Sequence, residues 1–350
     1  MTMELTAPNT SAARVLELKA TIKSTLEREL PPFGEFALLD YPDHPNVGDS
    51  AIWLGETRYF SEVHHRHPSL VSTLHRHPLQ EILAGLPDGP IFLHGGGNFG
   101  DIYPYYQEWR EDLLRHTAGR LVVQLPQSIH FSSADRLKSA ARAIAAHGNF
   151  LLLVRDAESY RIAEENFDCR VVLCPDMAFF LGPLRRPERR SVDVLCLLRT
   201  DDERAAEQFS GGQTGRGELS TEVCDWLEED DADSSRLLKP NKMDRILAAR
   251  WGALPRSNYR GFGFHRLASA RLRRGLKLLS RGDWVITDRL HAHILSLLLG
   301  IDHVALDNSY GKVRRFIEAW TSGIPGVHTS QTLPGALEVV AEGKYKEIHQ

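Results

Sequence analysis

Short, continuously apolar runs alternate with helix-length stretches along most of the chain. EFALLDY (35–41), PIFLHGGG (90–97), RLVVQLPQ (120–127), FLLLVRD (150–156) and RVVLCPD (170–176) are each bounded by turn residues. A half-exposed strand would alternate apolar and polar positions, so such runs predict parallel strands covered on both faces. Five strand–helix units therefore fill residues 35 to about 182. Ahead of them, residues 11–29 repeat apolar positions at helical spacing and end before Pro31-Pro32, which predicts an amphipathic helix. The proline- and arginine-rich LGPLRRPERRS (181–191) interrupts the pattern and predicts a linker.

The alternation resumes beyond that break. DVLCLLR (193–199), WVITD (284–288) and HVALD (303–307) read as strands. RILAARWGA (245–253), SARLRRGLKLLSRG (269–282), RLHAHILSLLLG (289–300) and VRRFIEAW (313–320) read as helices. Between them, 204–244 is polar and predicts a surface loop or insertion. The expected fold class is α/β, with two Rossmann-like domains facing a cleft. An N-terminal helix (1–30) precedes an α/β domain (31–183), a second α/β domain (190–330) and a C-terminal tail (331–350).

Composition narrows the function classes. Hydrophobic residues make up 42% and charged residues 25%, and the formal net charge is −4, so nothing draws the whole chain to nucleic acid. No apolar run approaches the ~18 residues of a membrane span. The N-terminus lacks the features of a secretory signal. The four cysteines show neither CxxC spacing nor a disulfide framework, so free thiols in a reducing cytoplasm are expected. No nicotinamide, flavin or metal signature is present, and no metal site or cofactor is expected.

Candidate chemistry sits where the predicted strands end, the usual ligand edge of a parallel sheet. Asn46, Gly48 and Asp49 follow the first strand, where Asp49 is a candidate base or simply a helix cap. HGGGNFGD (94–101) places Gly96, Gly97, Asn98 and Asp101 after the next, and its glycines would allow a ligand close to the backbone. Gln127, Ser128 and His130 end the third, although a lone histidine there is often structural. Arg155 and Asp156 end the fourth, with a mutual ion pair and a helix cap as the plainer reading. Arg199 ends an apolar strand and needs an anionic partner, either a ligand or Asp201 or Asp202. In TDRLHAHI, Arg289, Leu290 and His291 fall in a first helical turn, where backbone N–H groups favour anions. Helical spacing puts Leu290, Ile294, Leu297 and Leu298 on a buried face and Arg289, His293 and Ser296 opposite. His291 lies near the apolar side and is a core residue on the competing reading.

Taken in order, NVGDSAI, HGGGNFGD, PQSIHF, VRDAES, CPDMAF, LLRTDDE, TDRLHAHI and DNSYGKV resemble the polysaccharide pyruvyl transferase family from about residue 40 to residue 316. The resemblance implies a two-domain fold similar to GT-B glycosyltransferases, with phosphoenolpyruvate as donor in the cleft. It implies donor binding by Arg289, Leu290 and His291, joined by His130 and by Arg199 or Arg155. The donor side is then the second domain. The first supplies acceptor contacts from Asn46, Gly48, Gly96, Gly97, Asn98 and Gln127. His291 or His130 would be the acid and Asp49 or Asp101 the base. The acceptor would be a sugar or lipid-linked oligosaccharide, with peripheral association at the cytoplasmic membrane face. Two other classes share the same motifs: a GT-B glycosyltransferase using a nucleotide-sugar, and a sugar-phosphate-binding protein without catalysis.

Overall fold

The computed structural model describes residues 10–74, 77–187, 189–199, 219–227, 229, 237–239, 256–307 and 311–348. RILAARWGA, most of 204–244, and Asp201 and Asp202 lie outside the described residues. The chain divides into two compact units. The N-unit comprises Thr21–Phe180 with Glu229–Arg271, and the C-unit comprises Met1–Ala20, Leu181–Glu228 and Leu272–Gln350. The first helix, α1 (Ser11–Glu29), buries Val15, Leu18, Ile22 and Leu26, the apolar stripe that its sequence repeat predicts.

In the N-unit the elements run β1 (Ala37–Leu39), α2 (Val47–Val63), β2 (Leu70–Val71), α3 (Leu79–Ala84), β3 (Ile91–Leu93) and β4 (Gly96–Gly100). They continue through α4 (Pro104–His116), β5 (Val122–His130), α5 (Ala134–His147), β6 (Phe150–Val154), α6 (Ala157–Asn166) and β7 (Arg170–Leu173). The sheet is ordered β2-β1-β3-β5-β6-β7, with β4 also paired to β5, and every pairing is parallel. All five residues of β6 are buried, as a strand covered on both faces requires. With its neighbours it supplies a core that includes Leu39, Leu93, Val122 and Leu152. The segment before residue 271 joins this unit through Phe264, whose ring stacks on Tyr41 at 4.2 Å. Arg271 adds bonds to Glu229 (2.6 Å) and to the Pro42 carbonyl (3.1 Å).

The C-unit contains β8 (Val192–Leu197), β9 (Thr221–Cys224), β10 (Gly282–Thr287), α8 (Leu290–Leu299), β11 (His303–Leu306), α9 (Lys312–Phe316), β12 (Val327–Ser330) and α10 (Leu333–Ile348). Helix α7 (Arg256–Leu279) precedes β10, and a π-turn (Ile317–Thr321) follows α9. The sheet order is β12-β11-β10-β8-β9, again wholly parallel. The stretch read from sequence as a tail carries α10, whose Ala336, Leu337 and Val340 pack with Val194, Ile286 and Val304 in the core.

Both sheets reverse direction of growth once: between β1 and β3 in the N-unit, and between β8 and β10 in the C-unit. Such a switch point opens a crevice at the carboxyl ends of the strands, where α/β proteins bind ligands.

The glycine-rich segment departs from its expected form. Gly96–Gly100 is a strand on β5 rather than an open loop. The β5 register shifts between Gln124 and Gln127, across Pro126, which has no N–H to give to the ladder. The glycines serve close approach to this protein's own backbone. A Cβ on Gly95 would stand 2.8 Å from the Pro126 carbonyl oxygen, and one on Gly100 (φ +126°) would stand 1.7 Å from that of His130. Gly100→Ala combines this clash with a left-handed backbone. It should cost about 2–4 kcal/mol, measured as a lower urea midpoint at unchanged m-value.

Candidate active site

At the N-unit switch point Asp40 directly follows β1 and His94 directly follows β3. Asp40 is non-glycine at φ +66°, a backbone state tolerated by short polar residues and frequent at functional sites. Its carboxylate accepts from Asn98 Nδ2 at 3.2 Å and is 4% exposed. Burial pushes its pKa up to about 6, against the opposing pull of His94, Arg110 and the Asn98 bond.

Helix α2 presents Asp49, Ile52 and Glu56 along one face, at the i, i+3, i+7 spacing that shares a helix side. Their atoms lie 3.4–3.6 Å from where Cβ atoms on Gly95 and Gly96 would stand. Glu56 Oε2 pairs with His94 Nδ1 at 2.8 Å, and Oε1 accepts from the Gly95 N–H at 2.8 Å. Both side chains are buried. Burial raises the Glu56 pKa. For His94, burial acts downward, but the Glu56 charge and hydrogen bond outweigh it and the pKa is raised.

A second layer fixes Asn98. Its Oδ1 accepts from Arg110 Nη2 (2.8 Å) and Gln127 Nε2 (2.9 Å), which turns Nδ2 to Asp40. Arg110, 2% exposed, also donates to Gln107 (2.7 Å) and Gln124 (2.8 Å). Its guanidinium lies 4.5 Å over the Phe99 ring. Burial lowers its pKa to about 10, opposed by Asp40 and Glu111.

At the C-unit switch point the Arg199 N–H, past the end of β8, donates to Asp288 Oδ1 at 2.9 Å, past the end of β10. Burial raises the Asp288 pKa, with the Arg199 N–H and the Arg289 charge opposing it. Arg289 is the N-cap of α8, and its Nη2 meets Asp225 Oδ2 at 2.6 Å, the two side chains 4% and 9% exposed. Leu290 and His291 open α8, and every residue of that helix is buried. Behind it His293 Nδ1 meets His303 Nε2 at 2.7 Å, His293 Nε2 meets the Thr321 hydroxyl at 3.0 Å, and His303 Nδ1 meets the Ile301 carbonyl at 2.8 Å.

Several sequence expectations change in this light. Helix α2 begins at Val47 with Asn46 as cap, its Oδ1 taking the Gly48 N–H at 2.9 Å, so Asp49 lies within the first turn and Asn46 is partly committed. Gln127 is fully buried and bonds the His94 carbonyl (3.1 Å) and Asn98, so it orients Asn98 rather than meeting an acceptor itself. Asp101 gathers the N–H groups of Ser132 and Ser133 at 2.8 and 2.7 Å. Burial raises its pKa, but these donors outweigh that and hold it below the ordinary range, which suits a turn anchor better than a base. His130 is half-buried, and its carbonyl accepts the Asp101 N–H.

Arg155 does not pair with Asp156. It pairs with Asp176 at 2.5 Å and donates to Ser128 Oγ at 2.9 Å, fully buried. Asp156 caps α6 through the Ser159 N–H at 2.8 Å. Arg199 is half-buried. The α8 side holding Arg289, His293 and Ser296 is buried, because protein covers that helix all round; Arg289 and His293 meet polar partners there, and the Ser296 hydroxyl has none among the described residues. Asp40, Glu56, His94, Arg110 and Asp225 escaped the sequence analysis. Asp40 and His94 lie within the runs 35–41 and 90–97, and the strands themselves stop just before them.

The motif order and the two switch points have an independent counterpart among known proteins. The chain belongs to the polysaccharide pyruvyl transferase family, whose model matches residues 46–310. Pyruvyl transferase 1 of Schizosaccharomyces pombe is 33% identical over 304 residues, spanning 82% of this chain and 70% of that protein. The Bacillus subtilis EpsO protein, whose name also carries the pyruvyl transferase description, is 31% identical over 91% of this chain and 94% of its own length. An uncharacterized Klebsiella pneumoniae protein of known crystal structure shares the fold at a TM-score of 0.52 and 17% identity, covering 93% of this chain and all of that one. The chain is thus an enzyme of the pyruvyl transferase class. Among the described residues no helix is long and apolar enough to cross a membrane.

Two outcomes follow from the buried charges. Asp40 has a folded pKa above its ordinary value, so its contribution to stability is full below about pH 4 and is lost as pH rises through about 6. Asp40→Asn keeps the shape, tolerates the positive φ and cannot ionise. It should flatten the loss of stability between pH 4 and 7, gaining up to about 3 kcal/mol at pH 7, read from urea unfolding at each pH. Arg289→Ala leaves Asp225 as a nearly buried charge without this cation. It should therefore destabilise by about 3–5 kcal/mol, measured by the same unfolding series.

Proposed function

We propose that the enzyme moves an enolpyruvyl unit from phosphoenolpyruvate to a sugar of a surface-glycan precursor, closing a pyruvate ketal and releasing phosphate. The observation that carries this reading is the grouping of Arg199, Asp288, Arg289 and His291 at the C-unit switch point of a chain in this family. Phosphoenolpyruvate is a small, densely anionic donor. Guanidinium forks and the N–H groups opening α8 answer a carboxylate and a phosphate. Asp225 holds one edge of the Arg289 fork, so the cation is oriented before the donor arrives. The acceptor is a sugar or a lipid-linked oligosaccharide met in the cytoplasm, and its contacts come from the N-unit edge around Asn98 and Asp49.

The chemistry adds a proton to the methylene carbon, bonds a sugar hydroxyl to the neighbouring carbon, then expels phosphate as a second hydroxyl of the same sugar bonds there. Two hydroxyl protons leave: one balances the new methyl hydrogen and the other the released hydrogen phosphate. His291 is the acid toward the methylene carbon, and Leu290 belongs to the same donor-binding turn. The GT-B likeness drawn from the sequence is supported by the presence of a parallel α/β sheet in each unit.

Phosphoenolpyruvate should raise the melting temperature while UDP- and GDP-sugars do not, and phosphate should be released with at least one methyl galactoside, glucoside or mannoside. Protection by a nucleotide-sugar would sink the reading. His291→Gln should retain donor protection and lose turnover by ~10²-fold or more. In D2O the ketal methyl group should gain deuterium, read by mass spectrometry.

A further inference from the structure

Around the N-unit switch point the polar side chains that tie Glu56, Asn98, Gln124 and Gln127 together are matched. Both Glu56 oxygens, the Gln124 and Gln127 amides and the Asn98 carboxamide all have partners within 3.3 Å. His94 Nε2 is not matched, and neither are the Tyr41 hydroxyl and Trp53 Nε1 close by. His94 is 3% exposed, and its Nε2 makes no hydrogen bond with any described residue. A buried ring nitrogen left without a partner calls for an explanation, and a ligand atom is one.

The ring is arranged as acid–base catalysts are. A carboxylate sits behind Nδ1 at 2.8 Å, fixing the tautomer with Nδ1–H toward Glu56 and leaving the Nε2 lone pair for a ligand. The backbone is pinned as well: the His94 N–H donates to the Leu39 carbonyl, and the His94 carbonyl accepts from Gln124 and Gln127. We propose that His94 Nε2 is the general base toward the acceptor sugar hydroxyl, with Glu56 its positioning residue. This rests on the transferase reading above.

In the step, the hydroxyl O–H bond breaks and its electron pair forms the bond from oxygen to the enolpyruvyl carbon. The proton moves to Nε2, giving an imidazolium matched by Glu56, and passes to solvent water. The carbon–carbon double-bond pair takes up a separate proton at the methylene carbon. The charged groups that face His94 are Glu56 and Asp49 from α2 and Asp40 past the end of β1, all favouring the imidazolium. His44 of the β1–α2 loop opposes it. Arg110 of α4 acts through Asp40, and Asp176 acts through Glu56.

The test first establishes, with wild type, which methyl glycoside supports phosphate release from phosphoenolpyruvate; failure of every glycoside there rejects the transferase reading itself. With that glycoside, wild-type kcat/KM should rise with pH along a limb above the ordinary imidazole range. His94→Asn places an amide nitrogen where Nδ1 stood and should cut turnover ~10²-fold or more while thermal protection by phosphoenolpyruvate persists. Glu56→Gln donates to Nδ1 and moves the ring proton to Nε2, so it should lose turnover comparably and shift the limb to lower pH. A merely structural pair predicts unchanged turnover per folded molecule and an unmoved limb in both variants, and that result overturns the proposal. Should either variant fail to fold, the wild-type ring decides: its Nε2 resonance in long-range ¹H–¹⁵N spectra should move on adding the glycoside, and a fixed resonance overturns the proposal.

Discussion

A parallel strand covered on both faces has no place along its length for an uncompensated polar group. In β6 and in most of β8 and β10 the side chains are apolar and buried, so polar chemistry collects where the strands stop. The single reversal of strand order in each sheet then concentrates it further. Asp40 and His94 meet at one reversal, Arg199 and Asp288 at the other. The two units have solved the same geometric problem with different residues.

Charge at these edges is compensated almost atom for atom. In the N-unit two carboxyls, Asp40 and Glu56, lie among two cationic groups, Arg110 and His94, and the amides of Asn98, Gln124 and Gln127 tie the set together. In the C-unit Asp225 faces Arg289, and the Arg199 N–H faces Asp288. Such clusters stabilise little against apolar packing of equal volume, yet breaking one partner is costly. The candidate functional side chains here are therefore also structural ones, and activity and stability have to be measured together for each substitution.

β1, β3, β5–β8, β10 and β11, α1 and the helix opening at Arg289 follow directly from hydrophobic runs and stop signals, which are local; β2, β4, β9 and β12 do not, and β9 lies in the stretch read as a loop. The Asp156 cap is local too, an acid just ahead of a helix. What the sequence could not show depends on distance along the chain. Glu56 and His94 stand 38 residues apart, and Asp225 lies 64 residues before Arg289 in a polar stretch without motif. Strand β4 is poor in strand-forming residues and exists because β5 supplies the ladder. Tertiary cover also converted the polar stripe of α8 from a solvent face into a buried one, which no helical wheel distinguishes.

The His293–His303 contact has a consequence of its own. If His303 Nδ1–H donates to the Ile301 carbonyl, its Nε2 must accept, so His293 Nδ1 carries the hydrogen and His293 Nε2 accepts from Thr321. The three bonds thus run one way, from the π-turn through α8 to the start of β11, with both rings neutral. Burial holds both pKa values down, that of His303 to about 4. With folded values below the ordinary imidazole value, the wire contributes its stability above that value and loses it as pH falls toward 4, because the unfolded chain takes up these protons first. An added proton on His293 turns only the Thr321 bond around, since that hydroxyl can also accept, whereas one on His303 sets two N–H groups against each other. The helix that opens with Arg289 and His291 is thereby packed on a neutral pair of rings whose protonation works against the folded state.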